Sequence, residues 1–160
     1  MRERYLRSIR LLAECFQAFE QTSGRHVRTL GLTPAQFDIV VTLGRTAGMS
    51  CRTLGERTLI TKGTLTGVLD RLEARGLLAR SPCTEDRRSV VVRLTAAGEA
   101  LFEQVYPAHV AHLKQCFAGF DEPDFAALER QLARLRDSLQ TDTQAGACGR
   151  IDHAPAGGSS

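Results

Sequence analysis

The sequence lacks the features of a membrane-spanning or secreted protein. No apolar run approaches the roughly 18 residues that a membrane-spanning helix needs. The first residues, MRERYLRSIRLLAE, are charged throughout and contain neither the apolar core nor the cleavage site of a signal peptide. We therefore expect a cytoplasmic protein that has no membrane partner.

Several motifs of enzymes and cofactor sites are also absent. The sequence has no C-x-x-C pair, no glycine-rich phosphate loop and no H-E-x-x-H. Its five cysteines are odd in number and widely spaced, so free thiols are expected rather than a disulfide framework. Because no motif brings a nucleophile together with a base, we expect neither enzymatic activity nor a bound cofactor.

Positive charge is concentrated in the first part of the chain. The net charge of the whole sequence is +3. Residues 1–93 contain 16 Lys or Arg and nine acidic residues, whereas residues 94–160 contain five and nine. This asymmetry predicts that the N-terminal part contacts an anionic partner.

Hydrophobic periodicity predicts six helices with recognisable ends. The first spans about residues 3–30, where Gly24 is expected to bend or interrupt it and Gly31 suits the position after its end. The fifth is predicted to reach Phe120. Each of the five later helices follows a residue typical of an N-cap: Thr33, Ser50, Thr61, Thr95 and Asp121.

The periodicity changes after the fourth helix and again near the end of the chain. LLARS and SVVVRLT are short aliphatic segments separated by the polar PCTEDRR, a pattern that predicts a β-hairpin. Residues 141–160, TDTQAGACGRIDHAPAGGSS, show no periodicity and many small residues, which predicts a disordered tail.

The fourth helix has an unusual face opposite its apolar stripe. This face contains Gly63 and Gly67, although each glycine weakens a helix by roughly 1 kcal/mol relative to alanine. Small residues allow a helix to approach the floor of the DNA major groove, which is about 12 Å wide. Hydroxyl and cationic groups that suit base edges and phosphates lie around them: Lys62, Thr64, Thr66 and Arg71.

A basic turn follows this helix in the predicted hairpin. Arg87 and Arg88 lie between the two strands, next to Asp86, which can orient a guanidinium through a bidentate pair. An arginine in this place can enter the minor groove, where the electrostatic potential is most negative. The helices and the hairpin together predict a DNA-binding winged helix-turn-helix.

These segments resemble the MarR family of bacterial transcription regulators. LTPAQFDIVVTLG resembles the second helix of the family, and SCRTLGERTLITKGTLTGVLDRLEARGLLAR resembles its helix-turn-helix and first wing strand. EDRRSVVVRLTAAGEAL resembles the wing motif, D-R-R followed by a strand and L-T-x-x-G. The resemblance covers about residues 4–140.

The resemblance implies a mainly α fold with a small β-hairpin wing, forming a single domain over residues 1–140. The winged helix-turn-helix would span about residues 33–95, and the dimerisation helices about 3–30 and 95–140. It implies a homodimer that binds a pseudo-palindromic operator in double-stranded DNA, usually as a repressor. The DNA-binding residues would be Ser50, Arg52, Thr61, Lys62, Gly63, Thr64, Thr66, Gly67, Arg71, Asp86, Arg87 and Arg88.

Three triggers occur in regulators of this kind, and the sequence leaves all of them open. One is a small aromatic or carboxylate ligand, for which aromatic side chains suit a ring and basic ones an anion. The ligand-binding candidates are Phe16, Phe19, Arg25, His26 and Phe37. A second trigger is thiol oxidation, for which Cys15 in the first helix and Cys83 in the wing are the candidates; Cys15 is expected to be a buried, inert thiol.

The third trigger is zinc. HVAHLKQC places His109, His112 and Cys116 at i, i+3 and i+7 of the fifth helix, with residue types that can bind zinc. A fourth ligand would have to come from elsewhere, such as His26 or Asp38. The alternative is a dimerisation helix whose histidines form hydrogen bonds with neighbours. For the function of the whole protein, the alternative to a DNA-binding regulator is a winged-helix module that contacts proteins and does not bind DNA.

Overall fold

A computed structural model describes residues 3–58, 60–82 and 90–148, without the side chains of Lys62 and residues 141–148. These ranges are mainly helical and confirm the predicted fold class. The α-helices are α1 (Arg4–Thr29), α2 (Pro34–Leu43), α3 (Cys51–Arg57), α4 (Lys62–Ala74), α5 (Ala96–Lys114) and α6 (Glu122–Cys148). The strands are β1 (Met49–Ser50), β2 (Leu78–Pro82) and β3 (Val90–Leu94), and Gln115–Phe117 form a 3₁₀ turn.

Four of the five predicted N-cap residues cap their helices through the side chain, and the fifth, Thr61, lies at the N-cap position of α4 without such a bond. Thr33 accepts a hydrogen bond from the Gln36 backbone N–H at 3.3 Å, and the Gln36 side chain accepts one from the Thr33 N–H at 3.0 Å. This reciprocal pair satisfies two backbone donors that a helix start leaves unpaired. Gly31, just after α1, has a φ of +77°, which glycine adopts without steric strain. Three other predicted caps accept a bond from a backbone N–H three residues later: Ser50, Thr95 and Asp121.

The sheet contains one strand more than the sequence predicted. β2 and β3 form the expected antiparallel pair, with Leu78 opposite Leu94. The two-residue β1 adds to the other edge of β3, with Met49 opposite Val92, so the strand order is β1-β3-β2. Two residues are too short for a periodic pattern, which is why β1 was missed. The tip of the wing, residues 83–89, lies outside the described residues.

The core lies between the helix-turn-helix and the sheet. All four residues of the predicted α4 stripe, Leu65, Val68, Leu69 and Leu72, are buried against residues of α2 and the strands. Burying one such side chain contributes about 1.5–3 kcal/mol to stability. This stripe fixes which face of α4 points outward.

One helix interior and two helix ends differ from the prediction. α1 continues through Gly24 without interruption, and the absence of a side chain there lets α1 lie close to Pro34 at the start of α2. α5 ends at Lys114 rather than Phe120, since the 3₁₀ turn begins at Gln115. α6 continues to Cys148, eight residues into the segment predicted to be disordered, because an established helix extends more easily than a new one forms.

The chain divides into two compact units, Met1–Cys116 and Phe117–Ser160. In the first, α1 exposes apolar residues at three- and four-residue spacing: Tyr5, Leu6, Ile9, Leu12, Phe16 and Phe19. In the second, α6 exposes a similar row: Leu128, Leu132, Leu135 and Leu139. Within the described ranges, no helix combines the length and the apolar character needed to cross a membrane.

Candidate functional site

The outward face of α4 is open, as the sequence predicted. Among the described residues, a Cβ atom placed on Gly63 meets nothing within 4 Å, and one on Gly67 meets only Arg71 Nη2 at 3.8 Å. Elsewhere, glycine is required by packing: a Cβ on Gly44 would collide with the Phe102 ring. Contacts within the described part of the chain therefore do not explain the two glycines of α4.

The start of α4 presents two paired hydroxyl groups. Thr61 lies at the N-cap position, but its side chain forms no bond to a helix N–H. Instead, the Thr61 and Thr64 hydroxyls are hydrogen-bonded to each other at 3.0 Å, and both residues are exposed. Thr66 and Arg71 are also exposed on this helix.

The other predicted DNA-contacting residues have different environments. The Ser50 hydroxyl caps α3, whereas Arg52 is exposed and forms a 3.1 Å ion pair with Glu56, one turn further along α3. An exposed pair of this kind contributes little to stability, so the guanidinium can readily change partner. Three candidates, Asp86, Arg87 and Arg88, lie outside the described residues, as does the Lys62 side chain.

An ion-pair cluster that the sequence analysis missed joins the wing to α4. The Arg80 guanidinium on β2 lies 2.6 Å from Asp70 and 3.6 Å from Glu73, both on α4. Arg80 Nε is buried and has no hydrogen-bond partner among the described residues. The cluster connects the first wing strand to the helix that precedes it, which favours one orientation of the two elements.

A cavity of about 540 Å³ lies behind the start of α4. Its walls come from α1, α2, α5 and the segment Ile60–Thr64. The apolar residues that line it are Phe19, Val27, Pro34, Ala35, Phe37, Ile60 and Leu113. The polar residues that line it are Glu20, Ser23, Asp38, Thr61, Thr64 and His109.

Three histidines cluster at this cavity. His109 is 5% exposed, and its Nε2 atom lies 3.2 Å from the Ser23 hydroxyl. Its Nδ1 atom lies 3.0 Å from Nδ1 of His26. The His26 ring in turn stacks on His112, with ring centroids 4.1 Å apart, and the edge of the Phe37 ring approaches His109.

The surroundings of His26 and His109 favour the neutral forms of these two rings. Burial, together with the nearby His26 and His112, lowers the pKa of His109. Burial also lowers the pKa of His26, and His112 adds to this effect. The short contact between the two Nδ1 atoms requires a donor on one ring and an acceptor on the other, so at least one of the two rings is neutral.

The structure brings some of the predicted ligand-binding residues together. Phe19 and Phe37 line the cavity, and His26 contacts it through His109. Phe16 and Arg25 are exposed and do not line it. The sequence analysis missed Ser23 and Glu20, which lie three and six residues before His26 on α1 and could have been found from that spacing.

The predicted zinc ligands do not form a metal site. His109 is buried and contacts His26, whereas Cys116 is exposed in the 3₁₀ turn. Because α5 ends at Lys114, Cys116 does not continue the helical spacing on which the prediction depended. Among the described residues, no group of three or more His, Cys, Asp or Glu is arranged to hold a metal ion.

The predicted oxidation-sensitive cysteines differ in their environment. Cys15 is exposed on α1, so the expectation of a buried thiol was wrong. The expectation followed from the apolar character of α1, but that apolar surface is itself exposed. Cys83 lies outside the described residues.

Comparison with known proteins agrees with this architecture. Residues 32–90 match the MarR family. YkoM of Bacillus subtilis, described as an uncharacterized HTH-type transcriptional regulator, is 31% identical over 124 residues, covering 76% of this chain and 80% of YkoM. BpsR of Bordetella bronchiseptica, whose DNA binding is regulated by 6-hydroxynicotinic acid, superposes with a TM-score of 0.71 and 31% identity, covering 80% and 91% of the two chains.

A third relative has been solved with DNA. A mutant MarR from E. coli in complex with operator DNA superposes with a TM-score of 0.73 and 25% identity, covering 83% of this chain and 96% of that one. The similarity includes the winged helix-turn-helix and the helices that flank it. The chain belongs to the MarR family of transcription regulators.

Proposed function

We propose that this protein is a cytoplasmic, homodimeric repressor that a small acidic aromatic compound releases from its operator. One observation carries the proposal: Thr61 and Thr64 are exposed at the start of α4 and also line the cavity. A molecule in the cavity would therefore contact the element that contacts DNA. Binding that favours a different position of this element would weaken binding to the operator.

The outward face of α4 is the proposed major-groove surface. Its N-terminal half supplies Lys62, Thr64 and Thr66, and the N-terminal residues of a recognition helix usually contact the bases. Gly63 and Gly67 allow close approach. Arg88, oriented by Asp86, is the proposed minor-groove contact. The relative from E. coli that was solved with operator DNA supports this arrangement.

The exposed apolar rows support a homodimer. Seven large apolar residues of α1 are exposed in the single chain, and Ile9 is 59% exposed. Contiguous apolar surface of this kind usually marks an interface. A second copy that covers it would place the two α4 helices about 34 Å apart, one turn of DNA.

The cavity supports an aromatic effector. Its apolar walls suit a ring, and its polar groups suit hydroxyl and acidic substituents. The regulation of the relative BpsR by 6-hydroxynicotinic acid supports the same class of compound.

The test begins with DNA selected from a random duplex pool by the full-length protein. We expect a pseudo-palindromic sequence, bound with an affinity that falls steeply with salt because several phosphates are neutralised. Adding 6-hydroxynicotinic acid or 4-hydroxybenzoic acid should release it in a fluorescence anisotropy assay. Failure to select any duplex would favour the protein-contact alternative, and an operator complex that neither acid weakens would contradict the proposed release.

A pair of variants tests the dimer. Ile9→Glu places a charge in the apolar row of α1 and should give monomers with operator affinity reduced at least 100-fold, since each half-site would be bound alone. Ala18→Glu is the control, because nine residues, about two and a half turns, place it on the opposite side of α1. Sedimentation velocity measures the assembly. A folded Ile9→Glu dimer would contradict the proposed interface.

A further inference from the structure

The geometry of the histidine cluster limits how many protons it can hold in the free protein. The short contact between Nδ1 of His26 and Nδ1 of His109 holds one hydrogen atom between two nitrogens. The Ser23 hydroxyl faces the other nitrogen of His109 and can either donate or accept. Protonating both rings would place two N–H groups against each other. At most one of the two rings can therefore carry an additional proton while this contact is kept, and a nearby anionic acceptor would stabilise that ring.

The charged groups around the cavity indicate what that acceptor is. Glu20 on α1 and Asp38 on α2 share the cavity with His109, whereas the start of α4 contributes the uncharged Thr61 and Thr64. Within the described lining there is no Lys or Arg. Among these side chains, only the imidazoles can become cationic near neutral pH. Within the described lining, a protonated histidine is therefore the cation that can meet an acidic ligand.

The two carboxylates restrict the rest of the ligand. A second acidic group would lie near Glu20 or Asp38 and be repelled, whereas a ring hydroxyl or N–H could donate a hydrogen bond to either. The apolar walls, with Phe19 and Phe37, accommodate the ring. The chemistry fits a monocarboxylic aromatic acid with a hydrogen-bond donor at the far end.

We propose that the His26–His109 pair, stacked on His112, is the element that recognises the acidic group of the effector, and that it takes up one proton as the carboxylate binds. The proton comes from solvent and ends on an imidazole nitrogen, so that an imidazolium–carboxylate pair forms. This inference rests on the proposed function, since it concerns the same cavity. It adds a proton-linked specificity: acids bind with proton uptake, and their neutral amides bind without it.

The experiment is isothermal titration of the full-length protein in phosphate and in Tris. The probes are 6-hydroxynicotinic acid, 4-hydroxybenzoic acid and their amides. Because the two buffers release protons with different enthalpies, the difference in heat gives the number of protons taken up. We expect an uptake approaching one per site for the acids and none for the amides. The affinity for the acids should weaken by up to about tenfold for each pH unit above neutrality, the slope for one proton.

Matched variants separate recognition from packing. His109→Gln should abolish the uptake and weaken acid binding at least tenfold, while it leaves amide binding nearly unchanged. Phe19→Leu should weaken acids and amides alike and retain the uptake, because it alters the apolar wall and leaves the three histidines in place. If His109→Gln does not fold, His26→Gln at a half-buried position provides the same readout.

Each outcome decides one question. Acid binding without proton uptake, or unaffected by His109→Gln, overturns the assignment of the histidines while the release mechanism stands. If none of the acids binds and operator binding is intact, the effector class is wrong. Stoichiometric zinc binding that His109→Gln abolishes would show a metal site instead and also overturns the inference. Acids that bind with uptake but do not release DNA support the histidine assignment and contradict the proposed release.

Discussion

Two surfaces meet at the start of α4, and they are built in opposite ways. On the outward side, a Cβ on Gly63 would touch no atom of the residues that the structure describes, and Thr64 and Thr66 are exposed. On the inward side, His109 already contacts Ser23, His26 and Phe37. An open surface gains its contacts only when a partner arrives. A cavity with partnered polar groups selects a ligand by making it replace or extend existing interactions.

The largest effect is expected when a bulky side chain is placed on the open outward face of α4. Gly67→Leu should lower operator affinity by roughly 2–3 kcal/mol or more, comparable to the loss of a good base contact, because the side chain would clash with the groove floor whatever its sequence. Stability should rise by several tenths of a kcal/mol, since leucine is the better helix former. Effector affinity should not change. Thermal unfolding, fluorescence anisotropy and calorimetry measure the three quantities.

Ala74→Leu is the matched control for this substitution. It lies seven residues, about two turns, beyond Gly67 on the same side of α4, and it is exposed. Because base contacts concentrate at the N-terminal end of a recognition helix, its operator affinity should stay near that of the parent protein. A stable Gly67→Leu dimer with normal affinity would remove these glycines from the DNA surface.

A smaller effect is expected at Thr64, which belongs to both surfaces. Thr64→Val removes a hydroxyl that is exposed toward solvent and lines the cavity, so it should weaken both DNA and effector binding, each by about 1 kcal/mol. Thr66→Val removes a hydroxyl outside the cavity lining and should weaken DNA binding alone. Anisotropy and calorimetry on the two variants give the comparison. An effect of Thr66→Val on effector binding would mean that the surfaces are not separate.

The two surfaces also differ in how well the sequence predicts them. The outward face lies within one helix, where the 3.6-residue period and the residue types determine which side chains share a side. The sequence therefore identified the positions of Gly63, Gly67 and Thr64 on it. The contact between His26 and His109 joins residues 83 positions apart, and it depends on how α1 packs against α5. Spacing along one helix instead grouped His109 with Cys116, which the structure separates.

The same limit applies to the fold as a whole. Capped helices with regular apolar stripes were predicted well, because their signals are local. β1 was missed because its pairing with β3 is a contact between distant segments, and α5 was extended too far because the 3₁₀ turn after Lys114 continues to look helical in sequence. Elements determined by tertiary contacts are thus the ones that sequence reasoning places least accurately.

The smallest expected effect concerns the inward side and the stability of the free protein. Burial and the neighbouring rings hold the pKa of His109 below the ordinary value of 6.5, so the unfolded chain binds a proton at a higher pH than the folded protein does. The free energy of unfolding should therefore decrease as the pH falls from about 6.5 toward the lowered pKa, by no more than about 1.4 kcal/mol per pH unit, and this contribution should be constant above 6.5. His109→Gln should make this slope shallower, whereas His153→Gln, in the tail predicted from sequence to be disordered, should leave it unchanged.

Urea denaturation at several values between about pH 5 and pH 8 measures the slope. Saturating 6-hydroxynicotinic acid should reduce or reverse it, because the bound cluster would already carry its proton in the folded state. Equal slopes in the parent protein and His109→Gln would show that the crowded histidines do not resist protonation, and the contrast between the two sides of α4 would then be one of shape alone.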